Sequence, residues 1–364
     1  MRNKLNQLLI TFSLLILFIG LIALISASAV IGEQRYGDVY YFVKRQLFQG
    51  VLIGLIAAWV FSRIDYHFWK KYALAILILN IALLLLCFVP ALQSSGVTAN
   101  RSINIGFINF QPSELLKISY ILFLATLLSS FSVKKRKKLG GFPFICFLIS
   151  LFVIGYIIIQ QPATGSLVVL ALSSLMVYLT AGLSIFQFLF FGLVGTLVLG
   201  FIIKVTPYRW QRITSFLSPQ QDPLGQGYHI IQSLLGIGSG GLLGIGFGRS
   251  IQKFNYLPES HTDAIFSIIA EEFGFVGSLI IIILFLILIS IGFKIAKRAP
   301  DEFGKFLAVG LICNIGFQAF INIGAMCQIF PITGIPLPFI SYGSSSLIIN
   351  LVSIGLLSNI AKQT

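Results

Sequence analysis

Long apolar stretches separated by polar links run along the chain from one end to the other. A helix needs about 20 largely apolar residues to cross the hydrocarbon core of a bilayer, and it satisfies its backbone hydrogen bonds internally. Ten stretches approach that length. The pattern therefore predicts an all-α, polytopic integral membrane protein with about ten transmembrane helices. The predicted spans are residues 8–30, 47–63, 72–90, 112–131, 143–159, 167–183, 186–204, 263–293, 304–327 and 342–361.

Three longer polar segments interrupt this pattern. The largest covers about residues 205–262, where aromatic residues and arginines precede a glycine-rich run. The others cover residues 94–114 and 327–346, and prolines in the second forbid a regular helix there. Irregular backbone at membrane depth occurs where protein or a water-filled cavity surrounds it. We therefore predict one transmembrane domain over residues 1–364, with the large loop inside it and a single cavity on the side of that loop.

Composition and charge support membrane insertion and suggest an orientation. Hydrophobic residues make up 57% of the chain and charged residues only 10%, which excludes a soluble domain. Fifteen Lys and Arg fall on segments that an inside N-terminus makes cytoplasmic, and nine fall on the opposite side. We therefore expect both termini in the cytoplasm and the 205–262 loop outside. The basic run at 134–138 lies between two spans without interleaved aromatics, so no nucleic-acid partner is expected.

Two charged residues enter the fourth predicted span, which opens with “QPSELLKI”. A charge inside a span costs about 2.5–3.5 kcal/mol, so it should face a partner or a cavity. Glu114 and Lys117 are three residues apart and therefore share one helix face. They either form an internal ion pair that fastens the bundle or line a charged substrate cavity, and the sequence leaves both interpretations open.

The eighth predicted span opens with “SHTDAIF” and carries three carboxylates. Ser260 or Thr262 is expected to cap this helix, which would place Asp263 in the first turn, near the positive end of the helix dipole. Glu271 lies about 80° around the helix from Asp263, whereas Glu272 faces the opposite side. We therefore expect only one of these two glutamates near the cavity and a structural contact for the other.

Basic residues collect on the same predicted side as Asp263. Cations that hold phosphates, beside a carboxylate that takes a proton, suit an anionic lipid headgroup. The histidines lack the pattern of a zinc site, and the four cysteines lack metal or disulfide spacing. No cofactor is certain, and a transient Mg²⁺ held by a carboxylate and substrate phosphates remains compatible. The basic residues are Arg45, Arg101, Arg209, Arg212, Arg249 and Lys253.

Four motifs in order carry a resemblance that covers nearly the whole chain: “FQPSELLKI”, “PYRWQRITSFLSPQQDPLGQGYHIIQSLLGIGSGGLLGIGFG”, “YLPESHTDAIFSIIAEEFG” and “PITGIPLPFISYGSSSL”. They resemble the SEDS family of cell-wall polymerases, the RodA, FtsW and SpoVE group. The resemblance implies a peptidoglycan glycosyltransferase that polymerises lipid II on the outer face of the membrane and releases undecaprenyl pyrophosphate. It implies as partners a class B penicillin-binding transpeptidase and other divisome or elongasome membrane proteins. The expected location is the bacterial cytoplasmic membrane, or the inner membrane of a wall-bearing plastid.

The resemblance also implies roles for individual residues. Asp263 of “HTD” is the expected catalytic residue, and Glu114 and Lys117 are expected to line the cavity. Glycosyl transfer requires a base for the attacking hydroxyl, here Asp263, and positive charge for the departing diphosphate. Arginines and Lys117 are candidates for that charge. The remaining predicted substrate-binding residues are Arg101, Arg209, Arg212, Glu259, His261, Ser341 and Tyr342.

Some positions depart from the family pattern. The chain reads “NRS” at 100–102 where “RRW” is usual, and “QPATGS” at 161–166 where “QPDxGT” is usual. Ala163 therefore stands in place of an aspartate, and either activity is reduced or Glu114 suffices. “YLPE” and “PYRWQRITSFL” resemble the division branch more, and “PITGIPLPF” leans to the elongation branch. Division is slightly favoured.

Two other classes of function fit the same lipid cavity. A lipid II flippase needs no base but needs access from both faces of the membrane, and the polar groups here cluster on one side. A non-catalytic scaffold that recruits a transpeptidase is kept open by the missing aspartate. Synthesis of glycan chains from lipid II by the purified protein would separate the polymerase from both.

Overall fold

The predicted spans coincide with helices in the structure, a computed structural model that describes residues 2–89, 103–105, 108–132, 141–161, 163–183, 185–223 and 225–363. Within these residues, nine helices are long and apolar enough to cross a bilayer, and Thr164–Thr180 is a shorter apolar helix. The polytopic, helical fold is therefore confirmed. In chain order the helices are α1 Arg2–Tyr36, α2 Tyr41–Arg45, α3 Ile53–Arg63, α4 Tyr66–Leu86, α5 Pro112–Ser129, α6 Phe142–Gln160, α7 Thr164–Thr180, α8 Ile185–Val205, α9 Pro207–Leu217, α10 Gln226–Ser239, α11 Ile265–Arg298, α12 Glu302–Met326 and α13 Ser344–Gln363.

The second span is continuous but not uniformly α-helical. A π-helical stretch, Gln46–Leu52, joins α2 to α3. α3 then packs closely along α13, where a Cβ added to Gly355 would lie 2.4 Å from the Ala58 carbonyl oxygen. Glycine at this position lets the two backbones approach, as small residues do between transmembrane helices.

The centre of the bundle is formed by α5, α12 and α13, which are buried along most of their length. Leu124, Leu307 and Leu356 from these helices are fully buried in one apolar core. α8 is different, because no residue in the most apolar window of Phe186–Val205 is buried. The inner helices therefore carry the polar groups that need protein partners, and α8 presents apolar side chains to the surroundings.

A short β-hairpin precedes α5 and departs from the all-α prediction. Strand β1, Ile103–Ile105, pairs antiparallel with β2, Ile108–Phe110, with Ile103 opposite Phe110. The next residue, Gln111, donates its backbone N–H to Ser345 Oγ at 3.2 Å. The starts of α5 and α13 are therefore tied together at one end of the bundle.

The predicted loop at about 205–262 contains helices of its own. α9 is followed by a 3₁₀ turn, Pro219–Gln221, and then by α10. Residues 240–264 continue as turns until α11 begins. These two helices were not predicted, and the assignment of the segment as an external loop stays a prediction.

α11 is broken at Gly274, where φ is 67° and ψ is −164°. The break separates a short first part from the long part at 275–298. The glycine-rich segment before α11 bonds the backbone groups near the break, and Ile245 N donates to the Glu271 carbonyl at 3.0 Å. A Cβ on Gly274 would lie 2.3 Å from Gly244 N, so no larger residue fits.

Candidate active site

Asp263 lies in the turn before α11 rather than in the helix. No side chain caps α11, so the predicted capping by Ser260 or Thr262 is wrong. Backbone bonds close this turn instead, because Thr262 N and Ala264 N both donate to the Glu259 carbonyl at 3.1 Å. Asp263 is therefore held by the turn, outside the first helical turn, and it is half-buried.

The Asp263 carboxylate faces the proline-rich segment 331–338. A Cβ built on Gly334 would lie 3.4 Å from Asp263 Oδ2, so the glycine backbone passes close to the carboxylate. Asn322 Nδ2 donates to the Asp263 carbonyl at 2.8 Å and to the Ile335 carbonyl at 2.8 Å. One buried amide therefore ties the backbone of the aspartate to the segment that its side chain faces.

A second amide of α12, Gln318, supports the same proline-rich segment. Gln318 Nε2 donates to the Pro336 carbonyl at 2.8 Å and to Ser346 Oγ at 3.3 Å. Gln318 and Asn322 are four residues apart, so they share one helix face. Neither residue was predicted, although two amides at this spacing inside an apolar run are a signal that the sequence does carry.

Glu114 and Lys117 form the ion pair that their spacing allows. Lys117 Nζ donates to Glu114 Oε1 and to Gln318 Oε1, both at 2.7 Å. The two side chains are 3% and 1% exposed, and Glu114 Oε2 has no hydrogen-bond partner within the described part of the chain. The pair fastens α5 to α12, and through Gln318 it also supports the segment that faces Asp263. Both interpretations made from the sequence therefore stay open.

The two arginines of α9 reach the same region by bonding backbone carbonyls. Arg209 Nη2 donates to the Ile159 carbonyl at 2.6 Å, and Arg212 Nη1 donates to the Ile332 carbonyl at 3.2 Å. The Arg212 guanidinium lies 4.6 Å from the Tyr208 ring centroid and also bonds the Tyr208 hydroxyl. Burial lowers the pKa of Arg209, and the Arg212 charge adds to this effect. These contacts anchor α9 beside segment 331–338. They also occupy some of the N–H donors of each guanidinium group.

Comparison with known sequences identifies the family. The family model described as “Cell cycle protein”, which groups FtsW, RodA and SpoVE, matches residues 6–364. The chain belongs to the FtsW/RodA/SpoVE family. It is 42% identical to “Stage V sporulation protein E” of Bacillus subtilis (strain 168), over 99% of this chain and 97% of the relative. It is 38% identical to “Probable peptidoglycan glycosyltransferase FtsW” of Geobacter sp. (strain M18), over 98% and 97%.

Solved structures of similar fold agree with membership of the FtsW/RodA/SpoVE family. The chain matches one described as “Structural coordination of polymerization and crosslinking by a peptidoglycan synthase complex” with a TM-score of 0.78 and 25% identity, over 98% of this chain and 97% of that one. It matches the rod shape determining protein RodA of Thermus thermophilus with a TM-score of 0.72 and 25% identity, over 98% and 96%. The resemblance carried by the four motifs is thus confirmed at the level of the family.

Two further predicted residues of this FtsW/RodA/SpoVE member lie just before Asp263. Glu259 adopts a positive φ of 52°, and its Oε2 accepts a hydrogen bond from Thr262 Oγ1 at 2.7 Å. His261 is buried, and its ring centroid lies 4.5 Å from that of Phe42. Burial lowers the pKa of His261, while the Glu259 charge raises it to a lesser extent. His261 is therefore a packed ring whose uncharged form is favoured by burial, and Glu259 shapes the turn.

Ser341 and Tyr342 connect the proline-rich segment to the Asp263 turn. Ser341 is buried, and its Oγ accepts the backbone N–H of Leu337 at 2.8 Å, so it stabilises the end of the segment. Tyr342 N donates to the His261 carbonyl at 3.0 Å. Arg101 lies outside the described residues, and its predicted role stays a prediction.

Glu271 and Glu272 do not divide between two environments as the helix geometry predicted. Glu271 Oε1 accepts the backbone N–H of Ile251 at 3.1 Å, and Glu272 Oε1 accepts from Ser250 N and Lys253 Nζ, both at 3.3 Å. The prediction is wrong because residues 248–253 wrap both side chains, so one loop satisfies carboxylates that leave the helix in different directions. Lys253 was grouped with the basic residues on the side of Asp263, and in the structure it is 5% exposed and forms an ion pair with Glu272.

The described residues hold no group of three or more His, Cys, Asp or Glu that is placed to bind a metal ion. The Asp263 carboxylate faces segment 331–338, and its backbone carbonyl is bonded by Asn322. The arrangement can hold one base at a fixed place, beside a backbone segment that Arg212 also bonds at the Ile332 carbonyl.

Proposed function

We propose that the protein is a peptidoglycan glycosyltransferase that polymerises lipid II and releases undecaprenyl pyrophosphate. Relatives that are 38% identical over nearly the whole chain carry the name peptidoglycan glycosyltransferase, which supports the reaction class. The observation that carries the proposal is the position of Asp263. Its carboxylate faces the Gly334 backbone while Asn322 bonds its carbonyl and that of Ile335.

The proposed step is a displacement at the anomeric carbon of the donor sugar. The acceptor hydroxyl attacks this carbon, and the bond to the diphosphate oxygen breaks with its electron pair on the diphosphate. Asp263 takes the proton of the attacking hydroxyl, and Arg209 and Arg212 supply positive charge near the departing group. A fixed base is effective because little reorganisation is needed in the transition state, and the backbone bonds around Asp263 provide that fixity.

Polymerisation of lipid II by purified variants tests this assignment. We expect Asp263→Asn to lower the rate of glycan synthesis by about 10²–10⁴-fold, the usual contribution of a general base, with its melting temperature preserved. Asp222→Asn is the matched control, because Asp222 is an exposed aspartate of the same polar segment. Glycan chains on a gel give the readout. Parental rates for Asp263→Asn would refute the base, and lipid II translocation in sealed vesicles without any glycan would favour a flippase.

The proposal extends to location and partners. The Asp263 end of the bundle faces outward in a bacterial cytoplasmic membrane, as the asymmetry of fifteen to nine basic residues suggests. A class B penicillin-binding transpeptidase is the proposed partner, in line with a solved relative whose description couples polymerisation to crosslinking. The process served is cell division or cell-shape maintenance. Stimulation of glycan synthesis by a co-purified transpeptidase is the corresponding measurement.

A further inference from the structure

Five aromatic rings form a continuous cluster beside the turn that carries Asp263. Tyr36 stacks on Tyr41 with centroids 3.7 Å apart and planes 7° apart. Phe42 packs edge-on against Tyr41 at 5.3 Å and against Tyr342 at 5.1 Å. His261 completes the cluster, 4.5 Å from Phe42 and 5.7 Å from Tyr342. We call Tyr36, Tyr41, Phe42, His261 and Tyr342 the aromatic cluster.

A tight turn between α1 and α2 builds this cluster. α1 ends at Tyr36, and Gly37 takes a φ of 65°, which reverses the chain. Asp38 then stabilises the turn, because its Oδ1 accepts Tyr40 N at 2.9 Å and its Oδ2 pairs with Lys44 Nζ at 2.7 Å. The turn brings the start of α2 back against the end of α1. The stacking is therefore fixed by local structure before any ligand arrives.

The cluster has a buried base and an exposed outer face. Phe42 is 7% exposed, whereas Tyr36 is 50% exposed. Arg45 Nη1 donates to the Tyr41 hydroxyl at 3.3 Å, and Arg45 Nε donates to Gln49 Oε1 at 2.9 Å. The outer face therefore combines a flat ring surface with phenol, guanidinium and amide groups.

The outer face of the cluster lies beyond the apolar part of the membrane span. Tyr36 follows the last residue of the apolar run 8–30 by six positions, which corresponds to about 9 Å along a helix. Tyr and Trp rings at this level also serve as anchors of a span in the interface. Here the rings stack on each other in addition, and the backbone of the cluster bonds within itself beside Asp263, since Tyr342 N donates to the His261 carbonyl at 3.0 Å.

We propose that the aromatic cluster is a sugar-binding subsite for a pyranose unit of the glycan strand, next to Asp263. The apolar face of a pyranose packs on the exposed Tyr36 ring, and its hydroxyls bond Arg45 and the tyrosine hydroxyls. The occupant is the strand rather than the lipid-linked end of the substrate, because the cluster lies on the water side of the apolar run. This inference rests on the proposed function, and it adds the place where that function holds its polymer.

Binding of a soluble oligosaccharide tests the subsite without requiring catalysis. The probe is a tetramer of β-1,4-linked N-acetylglucosamine, measured by saturation-transfer NMR on the purified full-length protein, with a malto-tetramer as the control ligand. We expect Tyr36→Leu to weaken binding of the probe by about two- to tenfold, the scale of one aromatic contact. Tyr36→Phe keeps the ring, and it should bind nearly as the parent does.

The matched control is Tyr40→Leu. Tyr40 is 52% exposed, as Tyr36 is at 50%, and lies in the same turn outside the aromatic cluster. Equal binding by the parent and Tyr36→Leu, or equal weakening in both leucine variants, overturns the subsite. So does a Tyr36→Leu variant that loses only its stimulation by a transpeptidase, since that would make the cluster a protein-binding surface.

Product length distinguishes failure of the subsite from failure of the proposed function. With lipid II as substrate, Tyr36→Leu should make shorter glycan chains than the parent does, because the growing strand is held less firmly. A parent that binds the oligosaccharide but makes no glycan refutes the polymerase and leaves the subsite standing. A parent that makes glycan of the same length as Tyr36→Leu and shows no probe binding refutes the subsite alone.

Discussion

Lys117 is a cation placed where the protein, rather than water, must solvate it. Its ammonium group is shared between the Glu114 carboxylate and the Gln318 amide oxygen, each 2.7 Å away. Since Gln318 also bonds the Pro336 carbonyl, the charge pair and the segment facing Asp263 are parts of one hydrogen-bonded chain. A change at Lys117 should therefore affect stability first, and a double substitution can separate stability from chemistry.

We expect Lys117→Met to lower the free energy of unfolding by about 3–5 kcal/mol, because it leaves the Glu114 charge buried without a partner. Adding Glu114→Gln removes that charge and should restore most of the loss. Thermal unfolding of the detergent-purified variants gives the measurement. If the stable double variant polymerises lipid II normally, the pair only fastens the bundle; if it is stable and inactive, the charges serve the reaction. Equal and additive losses would contradict the buried-pair argument.

His261 gives the turn beside Asp263 a dependence on pH. Burial holds the pKa of His261 below its usual value, so the unfolded chain binds a proton at higher pH than the folded chain does. The resulting stability is complete above pH about 6.5, the usual histidine value, and is lost as pH falls through the lower folded value. His229 is shifted in the same direction by burial.

We therefore expect the melting temperature of the parent protein to fall between pH 7.5 and pH 5.5, and that of His261→Gln to fall less. His229→Gln is the comparison for the second histidine. Melting curves at the two pH values suffice. Parallel decreases in the parent and in His261→Gln would show that this ring does not contribute.

At the scale of elements, α11 shows what a local sequence pattern leaves out. Periodicity treats residues 263–293 as one helix, so it does not detect the break at Gly274 and assigns no partners to Glu271 and Glu272. The break at Gly274 and the loop at 248–253 are fixed by contacts between distant parts of the chain. Apolar runs predict the helices well because the thickness of the bilayer sets their length. Contacts between a helix and a distant loop leave no periodic pattern in the sequence, so they are not predicted.

Substitution of two glycines tests the break. Gly274→Ala forces a Cβ into a position 2.3 Å from Gly244 N at a φ of 67°, and the backbone conformation, with ψ at −164°, alone costs about 1–3 kcal/mol. We expect a clear loss of melting temperature and of folded yield. Gly195→Ala is the control, because nothing described lies within 4 Å of that position in α8. There alanine should be neutral or raise helix stability by about 0.5–1 kcal/mol; similar behaviour of both variants would argue against the break.

Over the whole molecule, the sequence was sufficient for the span positions and the residues of the Asp263 turn, because bilayer length and short motifs are local properties. Asn322 and Gln318 were not predicted as site residues. The sequence does not show which group an amide inside an apolar span will bond, because that depends on how the helices pack. Ser341 Oγ accepts a hydrogen bond from Leu337 N, four residues away, and its expected contact with substrate stays a prediction. Long-range packing decides the partners of Asn322 and Gln318.

The orientation of the helix bundle in the membrane is a prediction about the whole molecule. Basic residues favour an outward Asp263 end, and single cysteines in a variant without the four native ones can test it. Gln221 is an exposed residue at the end of the 3₁₀ turn Pro219–Gln221, and Lys297 is an exposed residue at the end of α11. We expect Gln221→Cys to react with an impermeant maleimide in intact cells and Lys297→Cys to react only after permeabilisation. The reverse result would place the Asp263 end in the cytoplasm.

Glu271 and Glu272 of α11 bond an earlier segment of the chain, so the residues between the two bonded segments form a closed loop. Residues 250–253 are fastened to Glu271 and Glu272, and Asp263 lies within the covalent arc between these two attachment points. Backbone hydrogen bonds hold this segment in turns, since Leu257 N donates to the Gln252 carbonyl at 3.0 Å and Ala264 N donates to the Glu259 carbonyl at 3.1 Å. Removing a single residue from 254–258 would shorten this segment by as much as about 3.5 Å. That change is larger than the length of a hydrogen bond. In the proposed reaction, the length of this segment, as much as the identity of its aspartate, sets the position at which the proton is taken up.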